Sequence, residues 1–124
     1  MRHEHRTDLA ALERELLAAI DAGAEARQPF RLNAHLFKEA EALALMKQPE
    51  IADAEIPHIA AEAAETGNNR FNIAVIILNK AKAARERSAA IDAIRRAAKQ
   101  AVREATTPIG KRRAADIAWP AEVD

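Results

Sequence analysis

An all-α protein, a small bundle of about four helices with one long C-terminal helix, is the fold that this sequence predicts. Three observations carry that expectation. Alanine, the strongest helix former, makes up about a quarter of the 124 residues, while glycine occurs only three times. Apolar residues recur at intervals of three and four, the period of a helix face. The segment from Asn69 to Thr106 contains neither Gly nor Pro, so nothing interrupts a helix there.

The first helix is expected to start after Thr7 as N-cap, with Asp8 well placed for the helix dipole. Leu9, Leu12, Leu16 and Ile20 form its stripe, Leu17 widens it, and Gly23 supplies a stop. The second helix opens at Asn33, with Leu32 and Phe37 spaced as a hydrophobic staple. Leu36, Ala40, Leu43 and Ala44 continue its face, and Pro49 closes it. The third is short. Pro57 suits a first turn, Ile59, Ala60, Ala63 and Ala64 give one face, and Gly67-Asn68-Asn69 forms a turn.

The fourth helix, about 69–106, dominates the chain, at on the order of 55 Å. Asn69 is its expected cap. Phe71 to Leu78 is apolar nearly all round and is expected to be buried, and its Ile and Val content would also suit a strand. It runs directly into Ala, Lys and Arg helix formers, so a helix is the better reading. Ile91, Ile94, Ala98, Ala101, Val102 and Ala105 follow at 3,4 spacing. Lys80 to Arg87, mostly charged and small, either faces solvent or bends. Residues 1–106 thus form a helical domain, and residues 107–124 an extended tail with one tryptophan, Trp119.

Small side chains bury little area, and aromatics are only 3% of the chain. The core of a lone copy is therefore thin, and a second copy or a partner is expected to complete it. The seam Ile91, Ile94, Ala98, Ala101 and Val102 is the candidate surface for a homo-oligomer, although the first helix could equally face it within the chain. Trp119 is either an anchor onto the body or a docking point.

Charge is uneven although the net is zero. Residues 1–68 carry seven bases against thirteen acids, a net of −6, and residues 69–124 twelve bases against six acids, a net of +6. Arg85, Arg95, Arg96, Lys99, Arg103, Lys111, Arg112 and Arg113 could present a surface to an anionic partner. Nucleic acid is the less favoured partner, because no stacking aromatics are interleaved and no helix-turn-helix pattern is present.

No catalytic constellation can be read. The histidines are His3, His5, His35 and His58, none spaced i, i+4 from another histidine. Glu13, Glu15, Glu39, Glu41, Glu62 and Glu65 read as polar-face residues, and Ser88 is the sole serine. The absence of cysteine excludes disulfides and thiolate metal sites. No cofactor, metal or small-molecule substrate is expected. No apolar stretch follows the basic N-terminus, and the Ile73–Leu78 run is too short to span a bilayer, so a cytoplasmic, non-enzymatic binder is expected.

Residues 65–120 carry a pattern of their own. Glu65-Thr66-Gly67 leads into Ile73-Ala74-Val75-Ile76-Ile77-Leu78, then Lys80-Ala81, Ile91-Asp92, Arg95-Arg96, Ala101-Val102 and Ala105-Thr106-Thr107, with Ala115 to Pro120 at the end. This succession resembles small helical modules encoded by phages and prophages, of the kind found with tail and tail-fibre proteins. The resemblance implies a phage-type structural or assembly protein acting through helix–helix contacts, in virion or host cytoplasm. Phage inhibitors that bind a host defence complex, as anti-CRISPR proteins do, are the other group it implies. Both are non-catalytic binders.

Overall fold

The computed structural model describes residues 2–29 and 32–121, with side chains from residue 8 onward. It is all-α, with no strand among the described residues. The elements are α1 (Arg2–Arg27), α2 (Asn33–Lys47), a 3-10 turn (Asp53–Glu55), α3 (Pro57–Thr66), α4 (Arg70–Glu104) and α5 (Pro108–Ala115). The chain divides into two compact units, one made of Met1–Gln28 and Arg87–Asp124, the other of Pro29–Glu86. α4 contributes residues 70–86 to the second and 87–104 to the first.

In the Pro29–Glu86 unit the core is branched and aliphatic. Ile51, Ile56, Ile59 and Ile73 pack with Ala42, Leu45 and Ala74, flanked by Met46, Ile77 and Leu78. Each isoleucine taken fully out of water contributes about 1.5–3 kcal/mol before entropy is counted. Pro57 fills the first turn of α3, and Gly67 ends that helix in the left-handed region at φ 74°. Its amide donates to Ala63 O at 3.0 Å, the closing bond that a side chain at this φ would strain. Asn69 then caps α4, its Oδ1 accepting the Asn72 amide at 2.7 Å. Arg70 fastens the preceding loop by donating to Asp53 Oδ1 at 2.6 Å and to Ile51 O at 2.7 Å.

α2 departs from its expected orientation. Its cap is Leu32 rather than Asn33, with no side-chain cap bond, and the Leu32–Phe37 staple does not shield either residue. The buried positions are Glu41, Ala42 and Leu45. The face expected to be inward, Leu36, Ala40 and Leu43, points to solvent.

In the other unit Ile20 of α1 packs with Ala98 and Val102 of α4, supported by Leu16, Leu17, Ala114, Ala115 and Ile117. The helices there differ from expectation at three places. α1 begins at Arg2, so Thr7 lies within it rather than capping it, and it passes through Gly23 without stopping. Residues 107–124, expected to be extended, contain α5. Thr107 caps that helix by accepting the Gly110 amide at 3.0 Å, and Pro108 follows in its first turn. α4 is helical without interruption through residues 80–88, so the charged stretch neither breaks nor ends it.

Candidate binding surfaces

Of the seam residues, Ile91, Ala98 and Val102 are buried in the chain itself, Ile94 is half-buried and Ala101 is exposed. α1 packs against Ala98 and Val102, as the sequence allowed, and α5, which it did not foresee, joins it there.

The expected basic surface is largely engaged by acids. Arg85 pairs with Glu39 at 2.5 Å. Asp21 of α1 receives Lys99 at 2.8 Å and Arg95 at 3.2 Å. Asp92 receives Arg95 at 2.6 Å from one turn along α4, and Arg96 as well. Lys111 is 6% exposed, donating to Glu13 Oε1 at 3.1 Å and to Val102 O at 2.9 Å, so it holds α5 against α1 and the last turn of α4. Buried on both counts, it is not a surface cation. Arg103, Arg112 and Arg113 are exposed and have no ion-pair partner among the described residues.

These pairings shift the groups involved. The hydrogen bond from Lys99, with that from Arg95, holds the Asp21 carboxyl below the usual carboxylate range against the opposing effect of desolvation. Asp92 is lowered chiefly by its bond from Arg95, and Arg95 is raised by Asp92 first and Asp21 second.

Trp119 packs onto α1. A Cβ added at Gly23 would stand 3.3 Å from Trp119 Cζ2, and the Arg27 guanidinium lies 5.2 Å from the ring centroid. Arg87 donates to Ala121 O at 2.5 Å, tying down the same segment. The paired signal, a glycine inside a helix and a lone tryptophan, is in the sequence, but their separation of 96 residues leaves it unreadable there.

The histidines and carboxylates make no catalytic set. The side chains of His3 and His5 lie outside the described residues. His58 Nδ1 meets Glu41 Oε2 at 2.5 Å, while Glu41 Oε1 accepts the Ile59 amide at 3.1 Å. Glu41, 8% exposed, thus caps α3 from a neighbouring helix, a use of a buried glutamate that sequence reasoning assigned to a polar face. Phe37 stacks on His58 with centroids 6.0 Å apart. Among the described residues no group of three or more His, Cys, Asp or Glu could hold a metal ion, and no helix is long and apolar enough to cross a membrane.

What the Pro29–Glu86 unit does present is apolar surface. On α2, Leu36 is 52% and Leu43 56% exposed, with exposed Ala40 between them. At i, i+4 and i+7 these three form one stripe, opposite buried Leu45. Leu32, Phe37, Phe71 and Ile76 are exposed on the same unit, so the 71–78 segment is not buried all round as expected: the core covers only the face of Ile73 and Ala74. A cleft of about 300 Å³ also opens between α2, α3 and α4. Ile76, Ile77, Ala81 and Ala84 provide its apolar lining. His35, Lys38, Lys80 and Glu62 provide its polar one. No family model, no curated protein and no solved structure matches the chain.

Proposed function

We propose that the chain is a non-catalytic binding protein that acts through helix–helix contact, and that α2 carries the contact. The observation behind this reading is the Leu36–Ala40–Leu43 stripe, exposed on a helix whose opposite face is already buried. A leucine left in water gives up on the order of 1.5–3 kcal/mol that burial would recover. The natural occupant is a second copy. The stripe has a small residue at its centre and a leucine on each side, so an antiparallel copy placed about a two-fold near Ala40 sets each leucine beside its counterpart. Alanine at the crossing allows close approach. An α2 contact is preferred over the Ile91–Val102 seam because Ile91, Ala98 and Val102 are covered within one chain.

An assembly protein of the phage type is the specific role this reading favours. An inhibitor that blocks an acidic site on a host protein needs its bases in one unpaired patch, whereas Arg85, Arg95, Arg96, Lys99 and Lys111 each have an acidic partner within the chain. Unpaired Arg103, Arg112 and Arg113 support that second reading and, with it, a nucleic-acid contact. Replacing these three by Glu should abolish any complex with duplex DNA at low salt, and wild-type protein that shifts no DNA there disposes of the nucleic-acid form.

Because the chain has no cysteine, an introduced thiol reports position cleanly. Ala40→Cys should form a disulfide-linked dimer on mild oxidation, since two α2 helices crossing there bring the Cα atoms within about 4.4–6.8 Å. Ala26→Cys, exposed on α1, is the control and should stay monomeric. Equal cross-linking of both, or of neither, contradicts the α2 contact.

A further inference from the structure

We infer that the cleft between α2, α3 and α4 is a binding site for a small anionic amphiphile: a carboxylate carried on a short alkyl or aryl body. The site is independent of the α2 stripe and adds a ligand to a protein read above as a binder of proteins. Its volume, about 300 Å³, is at the lower end of the range for small-molecule sites. Its floor comes from one face of α4, where Ile77, Ala81 and Ala84 follow at helical spacing, and the neighbouring Ile76 is left exposed. That floor takes an apolar body.

The charge on the rim decides the head group. His35 and Lys38 of α2 and Lys80 of α4 line the cleft against a single acid, Glu62 of α3. Elsewhere in this unit Arg70 meets Asp53, Lys82 meets Glu86 and Arg85 meets Glu39, while Lys47, outside the cleft, is exposed and has no such partner among the described residues. Lys38 and Lys80 have no such partner among the described residues, and Lys38 is half-buried. Lys80 is exposed, and a ligand carboxylate beside Lys38 and Lys80 supplies the counter-ion that both lack. Glu62 of α3, the single acid of the lining, repels that carboxylate, so the head group belongs beside the lysines and the body over Ile76 and Ile77. Each half of the ligand has a reason in the lining, so neither a bare anion nor a neutral alkyl chain satisfies the cleft.

The test is a titration of the ¹⁵N-labelled full chain with sodium octanoate, 1-octanol and sodium acetate, followed by amide shifts. Octanoate should move amides of α2 residues 35–38 and α4 residues 76–84 saturably. Octanol should bind the same place about tenfold more weakly, the worth of a partly exposed charge contact, and acetate should not saturate. Lys38→Ala/Lys80→Ala, its helicity checked by circular dichroism, should bring octanoate down to the octanol level. Equal affinity for octanoate and octanol overturns the assignment. So does saturation by acetate, or shifts centred away from the cleft. A cleft that ignores octanoate yet binds an acidic amphipathic peptide overturns it too, since the site would then belong to a protein segment.

Discussion

At the scale of single residues, two side chains do work that their type does not advertise. Glu41 looks like one more surface glutamate of an Ala/Glu/Lys helix, yet it is buried and satisfies the Ile59 amide in the first turn of α3. An amide left unpaired there costs about 1–3 kcal/mol. Glu41→Ala should therefore lower stability by about 2 kcal/mol, read from urea unfolding at neutral pH, whereas Glu65→Ala, exposed in the last turn of α3, should change little. Gly23 is the second. It invites reading as a helix stop, because glycine ends helices more often than it packs inside them. Here a Cβ would crowd the Trp119 ring at 3.3 Å, closer than an ordinary contact, so its absence makes room for the indole. Gly23→Val should push the indole off α1 and red-shift tryptophan emission; an unshifted spectrum would remove Trp119 from the role of anchor. Neither role is legible in sequence, because each depends on a partner many residues away.

At the scale of elements, what was legible is what is local. The Asn69 cap, the Gly67 stop and Pro57 in a first turn are short-range signals, and each stands where the residues around it dictate. Thr107-Pro108 is a signal of the same kind, a cap followed by a residue suited to the first turn, and it begins α5, which was expected to be extended. Thr107→Ala should cost about 1 kcal/mol, measured as loss of stability and of α5 amide protection. The face of α2 was misjudged for a physical reason. This helix is apolar on both sides, so its period allows two inward faces, and the core selects the one bearing Ala42 and Leu45. Between α1 and α4 the ion pairs of Asp21 give a signature in acid. A carboxylate whose folded pKa is lowered contributes stability above its ordinary pKa and loses it as pH falls through the lowered value. Asp21 and Asp92 are both lowered, so stability should fall below the ordinary carboxylate range. Asp21→Asn should flatten that acid limb while leaving its slope at neutral pH alone. The effect is small, because both carboxylates remain partly solvated. Raised Arg95 stays charged at every pH in that range and adds no pH dependence.

At the scale of the whole molecule, the charge asymmetry of the sequence resolves into pairing. Acids of α1 and α2 meet bases of α4 and α5 through Asp21, Glu13 and Glu39. The expectation of a thin core rested on alanine content, and the core of each unit is built on a few isoleucines instead. Isoleucines give each unit a buried centre, while Leu36, Leu43, Phe71 and Ile76 stay outside. The cleft and the α2 stripe were beyond sequence reasoning because burial decides them, and burial is set by which face of each helix the neighbours cover. Phe37 and Phe71 are half of the four aromatics in the chain, and both are exposed. Exposed aromatics in a chain so short of large apolar side chains support the α2 contact proposed above.

The central claim is that α2 is a contact surface, and solution mass by light scattering tests it most directly. Wild-type protein should have the mass of a dimer at micromolar concentration, in low and in high salt, because the contact is apolar. Leu36→Asp/Leu43→Asp should be a monomer with unchanged helicity. A wild-type chain that stays monomeric at every concentration, or a double variant that keeps the dimer mass, contradicts the account.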